Sequence, residues 1–137
     1  MLNKILFISL YFVVQFSFAQ TNLLSYGKQD VVYDTKTKNL KSRSSIMKVL
    51  YTFSFIFEEP ASITISDVNS STPFFSKYNV ISTEEDKVND LINFTVRDEK
   101  NIEYLLMLSI KKNQIVIVYE ENTETFVTSY FLASRKN

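Results

Sequence analysis

Neither cysteine nor histidine occurs among the 137 residues, and glycine occurs once, at Gly27. Without histidine or cysteine there is no Ser-His-Asp triad, no thiol nucleophile, and no ordinary zinc, copper or haem ligand set. A single glycine rules out a phosphate-cradling loop, a dinucleotide fingerprint and a Gly-x-Ser-x-Gly elbow, each of which needs more than one. No disulfide can form. Excess charge is missing as well: 15 Lys and Arg balance 15 Asp and Glu, which excludes general nucleic-acid binding driven by phosphate neutralisation. Much of enzymology is closed to such a chain. The expectation is a protein that is not an enzyme and carries no cofactor and no metal.

What is present begins with an apolar run, Ile5 to Val14, that follows Lys4 and ends in Ser17-Phe18-Ala19. A short positive start, an apolar middle and a small-residue exit resemble a bacterial secretory signal peptide cleaved before Gln20. A membrane anchor takes about 20 predominantly apolar residues, and Gln15 interrupts this run. No cysteine follows it to receive a lipid. The chain therefore divides into a cleaved signal, residues 1–19, and one unlipidated β-rich domain, residues 20–137. The address is periplasmic or secreted, with no transmembrane segment after cleavage.

Residues 20–137 are enough for one core. With no disulfide, stability must come from packing, and eight Phe and seven Tyr remain after residue 19 to supply it. The charge is unevenly placed. Residues 20–48 carry a net +4 and residues 49–137 a net −5.

Alternation with period two dominates, the pattern of half-buried strands. From Ile46 to Glu58, one face carries Met47, Val49, Tyr51, Phe53, Phe55 and Phe57. Successive strand residues point to opposite sides, so this row belongs against a core. Pro60 lacks a backbone donor and marks the strand end. Further strands are expected at Ser62–Asp67, Phe75–Thr83, around Ile92, Phe94 and Val96, at Ile102–Ile110, Ile115–Glu120 and Thr125–Ala133. Asp30–Asp34 is a weaker first strand.

The last four runs are separated by only a few residues, and such connections join antiparallel neighbours. With glycine absent from these turns, Asn101, Asn113 and Asn122 are expected where positive φ is required. Ser82-Thr83-Glu84-Glu85-Asp86 resembles a capped helix start, so 83–90 reads as a short helix or an acidic loop. Lys36 to Ser45 reads as a polar loop or a solvated strand end.

The candidate sites are few. Adjacent Glu58 and Glu59 would face opposite sides of a strand and cannot act as one acid/base pair. Glu84, Glu85, Asp86 and Asp90 lack the alternating carboxylates and the glycine of a calcium loop and read as favourable charge at a helix start or a solvated loop. Asn69-Ser70-Ser71 and Asn93-Phe94-Thr95 match the glycosylation acceptor pattern by accident if the cell is bacterial. The basic group Lys36, Lys38, Lys41 and Arg43 is a candidate partner surface, weighed against edge-strand protection. The aromatic row Tyr51, Phe53, Phe55 and Phe57 is a candidate ligand-cavity wall, weighed against ordinary core packing.

The fold expected is all-β: an antiparallel meander of about six to eight strands, forming a curled sheet, small barrel or sandwich, with room for one short helix. An outer-membrane barrel needs at least eight lipid-facing strands of about 9–11 residues, and several strands here are shorter. The first functional expectation is a non-catalytic binding, inhibitory or accessory module for an envelope or extracellular macromolecule. The second is a carrier of a small apolar ligand held behind the aromatic row. No family is recognised across residues 20–137.

Overall fold

Alternating aromatic and β-branched residues become nine strands in the computed structural model, which describes residues 20–67 and 75–133. The strands are β1 (Gln20–Asp34), β2 (Leu40–Arg43), β3 (Met47–Ile56), β4 (Ser62–Asp67), β5 (Phe75–Asp86), β6 (Leu91–Arg97), β7 (Glu103–Ser109), β8 (Gln114–Glu121) and β9 (Glu124–Leu132). The signal-like segment 1–19 and the acceptor triplet Asn69-Ser70-Ser71 lie outside the described residues.

From β3 to β9 each strand pairs antiparallel with the next. β1 closes the ring: it pairs with β3 from Gln20 to Lys28 and with β9 from Ser25 to Asp34. The result is an eight-stranded up-and-down barrel, with β2 added on β1 beside Val31–Tyr33. Of the architectures open from sequence, the small barrel is the one formed, and closure removes the sheet edges of its eight strands.

The same strand bends where β3 and β9 share it. A bulge falls between Ser25 and Gly27, and the buried Ser25 hydroxyl lies 3.0 Å from the carbonyl oxygens of both Gly27 and Phe131. An extra residue in one strand reverses which face its later side chains meet. β1 runs from Gln20 and not only from Asp30; the break in its alternation midway hides the first half from the sequence pattern.

Three expected turns hold. Asn101, Asn113 and Asn122 adopt φ of 66°, 50° and 56°, the left-handed region that asparagine tolerates best after glycine. Lys38 and Asp90 join them at 62° and 54°. Over 83–90, expected as a short helix or an acidic loop, no helix forms and only 87–90 make a turn; no helix occurs among the described residues. Instead Thr83, Glu84, Glu85 and Asp86 pair with Phe94, Asn93, Ile92 and Leu91. Asp86 then accepts from the Asn89 backbone and side-chain amides at 3.1 and 2.8 Å, holding the turn to β6. A short helix lacking tertiary contacts is marginal; a ladder on β6 satisfies the same backbone groups.

The core lies inside the barrel. Phe53 and Phe55 of β3 are 0% and 1% exposed, and Ile63, Ile65, Phe94, Val96, Leu106 and Ile115 are sealed beside them. Only the middle of the long β3 row is buried: Tyr51 is half-buried, and Phe57, past the end of the strand, is 53% exposed. On the outside of β3 to β6 stand Thr52, Ser54, Thr64, Ser66, Asn79, Thr95 and Arg97, together with the apolar Ile56 and Phe75, at the alternate positions to the core residues. A lipid-spanning barrel is polar within, whereas the core of this barrel is apolar. On β7, β8, β9 and β1 the outer face is mixed, with Leu105, Val118, Val127 and Val31 consecutive in register.

Candidate functional site

Antiparallel pairing decides which residues meet at each barrel end. The start of β7 and the end of β8 share one end, as do the start of β9 and the beginning of β5. Inward positions near that end carry Tyr78, Tyr104 and Tyr119, and Tyr130, further along β9, joins them in one wall. They surround a cavity of about 500 Å³, whose remaining walls are Ile102, Ile117, Thr128, Glu120 and Glu121. The opposite half of the interior is filled by Phe and aliphatic side chains, so the cavity is a cup with an apolar floor.

Ring contacts run around the wall. Tyr78 meets Tyr104 edge-on at 5.3 Å between centroids, Tyr104 meets Tyr119 at 5.2 Å, and Tyr119 stacks on Phe126 at 4.8 Å. Tyr130 packs edge-on against Phe53 at 4.9 Å, tying the wall to the core. Such offset and edge-to-face pairs are the favoured aromatic geometries.

Asp98, at the turn between β6 and β7, sets the pose of Tyr104. One carboxylate oxygen accepts from the Lys100 and Ile102 amides, both at 2.9 Å. The other accepts the Tyr104 hydroxyl proton at 3.0 Å. Burial opposes ionisation of Asp98, but the Ile102 amide, the Tyr104 hydroxyl and the Lys100 amide outweigh it and hold its pKa below the ordinary carboxylate value. Across the cup, Thr128 donates to Asp30 at 2.8 Å, and Lys28 lies 3.8 Å from the other oxygen of Asp30.

All four tyrosines stay protonated well into alkali. Burial raises Tyr130, with Tyr78, Tyr51 and Asp30 adding to the rise. Burial and then the hydrogen bond to Asp98 raise Tyr104. Tyr78 is raised by burial and the Asp98 charge, and Tyr119 by burial and Glu121. The cup thus offers neutral hydroxyls and aromatic rings, bordered by carboxylates.

Neither sequence-derived candidate set lines this cavity. Phe53 and Phe55 belong to the sealed core, Tyr51 lies above them 6.0 Å from Tyr130, and Phe57 is at the other end of β3. Lys36, Lys38, Lys41 and Arg43 are brought together on the exposed β1–β2 hairpin. There Lys41 forms a 2.8 Å ion pair with Glu124. The tyrosine convergence was missed because each tyrosine is spaced like an ordinary core residue of its own strand. The available signal was that Tyr104 and Tyr119 fall near strand ends that a meander brings side by side. Among the described residues, no group of His, Cys, Asp or Glu is arranged to hold a metal ion. Compared with protein-family models, curated proteins and solved structures, the chain finds no match in any of the three.

Proposed function

We propose that the chain is an exported, non-catalytic binding protein that takes a small molecule into the tyrosine-lined end of its barrel. The observation that carries this reading is the cavity of about 500 Å³ walled by Tyr78, Tyr104, Tyr119 and Tyr130. Ligand sites are typically preformed concavities of about 300–1,000 Å³ with aromatic walls and a few placed polar groups, and eight-stranded barrels are wide enough to hold one small ligand. Of the two functional expectations from sequence, geometry favours the small-ligand carrier over the macromolecule-binding module. The ligand's seat moves from the phenylalanine row to the tyrosines above it. Such a ligand meets hydroxyls and carboxylates, so it is not purely apolar.

The chain lacks tryptophan, so its intrinsic fluorescence comes from tyrosine, and four of the seven tyrosines after residue 19 line the cup. Titration with a panel of small aromatic cations, alcohols and carboxylates is expected to change that emission saturably for at least one class. The Tyr104→Ala and Tyr130→Ala variants are expected to bind that class at least about tenfold more weakly. Absence of saturable binding across all classes would overturn the reading. Export rests on the segment before Gln20 and has its own test. N-terminal sequencing of protein from the envelope or medium is expected to begin at Gln20, and an intact Met1 would refute it.

A further inference from the structure

We infer that the molecule bound in the cup is a small organic cation, an amine or quaternary ammonium, with its positive charge among the tyrosine rings. The inference rests on the proposed small-ligand reading and adds the ligand's chemistry. Its first support is the charge of the wall. Glu120 and Glu121 are the charged residues lining the cavity, and neither forms an ion pair among the described residues. Asp98 stands behind Tyr104, so a further carboxylate backs the wall; Asp30, behind Thr128, is shared with Lys28.

Lys28 is drawn to Asp30 at 3.8 Å, Lys41 is held by Glu124 at 2.8 Å, and Lys100 acts on Asp98 from the β6–β7 turn. Lys36, Lys38 and Arg43 stand exposed on the β1–β2 hairpin and line no part of the cavity. An anion entering the cup would therefore meet like charge with no compensating base in the wall.

Aromatic geometry is the second support. Ring faces carry negative electrostatic potential, and a cation within about 6 Å of several ring centroids is attracted by each. Tyr78, Tyr104 and Tyr119 follow one another at 5.3 and 5.2 Å with interplanar angles of 80° and 61°. They turn around the cup instead of lying parallel, an arrangement able to surround a compact charge. Tyr104 also donates to Asp98, which increases the electron density of its ring and its pull on a cation. Burial keeps the hydroxyls protonated, so recognition uses rings and carboxylates and not phenolate.

The test compares phenethylammonium with phenethyl alcohol and benzoate, followed by calorimetry and tyrosine emission on the chain from Gln20 onward. Phenethylammonium is expected to bind about tenfold tighter than the alcohol, with benzoate weakest. Glu120 and Glu121 are both exposed, so the Glu120→Gln/Glu121→Gln double variant keeps the fold. It is expected to reduce the cation's advantage by about threefold and leave alcohol binding unchanged. Choline is expected to bind more tightly than phosphocholine, because the phosphate would face Glu120 and Glu121; this distinguishes a free amine from a lipid headgroup. Equal affinity for the alcohol, or tighter binding of benzoate, would overturn the cation assignment while leaving the ligand-cup reading intact. A cation preference untouched by the double variant would overturn the role given to the two glutamates. No binding by any probe would overturn both readings.

Discussion

Phe53→Ala is expected to lower the unfolding free energy by about 3–5 kcal/mol, measured by urea denaturation. Phe53 is 0% exposed at the centre of β3, where it packs edge-on against Tyr130 and lies opposite Leu23 of β1 and Ile65 of β4 in register. Truncation removes the buried ring and leaves a cavity that a closed barrel cannot collapse around, because eight hydrogen-bonded strands fix the surrounding backbone. The loss is a large fraction of the 5–15 kcal/mol that typically separates folded from unfolded domains. Phe57→Ala gives the internal comparison. It belongs to the same sequence row, but at 53% exposed its replacement is expected to cost less than about 1 kcal/mol. Equal losses at the two positions would contradict the assignment of barrel interior and exterior.

Stability is expected to be nearly level from neutral pH to about pH 10, then to fall steeply. The four cup tyrosines all have raised pKa values, so the folded state keeps protons that the unfolded chain releases near the ordinary tyrosine pKa of about 10. A group raised on folding contributes stability that is fully present below its unfolded pKa and is lost as pH climbs toward its folded one. For the well-buried Tyr130 the loss is about 1.4 kcal/mol per pH unit above that point. Tyr78 adds to it, and Tyr104 and Tyr119, more open to water, contribute smaller shares. Lys41, raised by its hydrogen bond to Glu124, acts in the same direction. Urea midpoints measured across this range, with tyrosinate absorbance followed in parallel, test the expectation. Part of the tyrosine absorbance should appear only with unfolding, and Tyr130→Phe should make the alkaline decline shallower. Ionisation of every tyrosine near pH 10 with the fold intact would refute it.

These expectations draw on elements that differ in how openly the sequence displays them. Strands β3, β6, β7 and β8 were legible because each buries one face and keeps its alternation from end to end. The three asparagine turns were legible because a chain with one glycine has few other residues for positive φ. The first half of β1 was hidden by the bulge at Ser25 and Gly27, which breaks the period. Residues 83–86 carried a capping pattern that strand pairing overrode, since local propensity is weaker than a ladder of backbone hydrogen bonds. The cup was the least legible feature. Its walls come from β5, β7, β8 and β9, and only closure between β1 and β9 brings those strands around a common space.

That closure also constrains the order in which the molecule can be made. Ser25 lies opposite Leu132, and Asp34 opposite Glu124, so the seam joins the first and last strands of the barrel. A ribosome delivers β1 first and β9 last. Until the final strand has emerged, the nascent sheet has two open edges and its aromatic interior faces water, a state prone to pairing with other chains. Folding of this kind depends on distant contacts and is slow compared with helical bundles of similar size. Loss of even the nine residues of β9 would therefore leave an open sheet, with no enclosed cup.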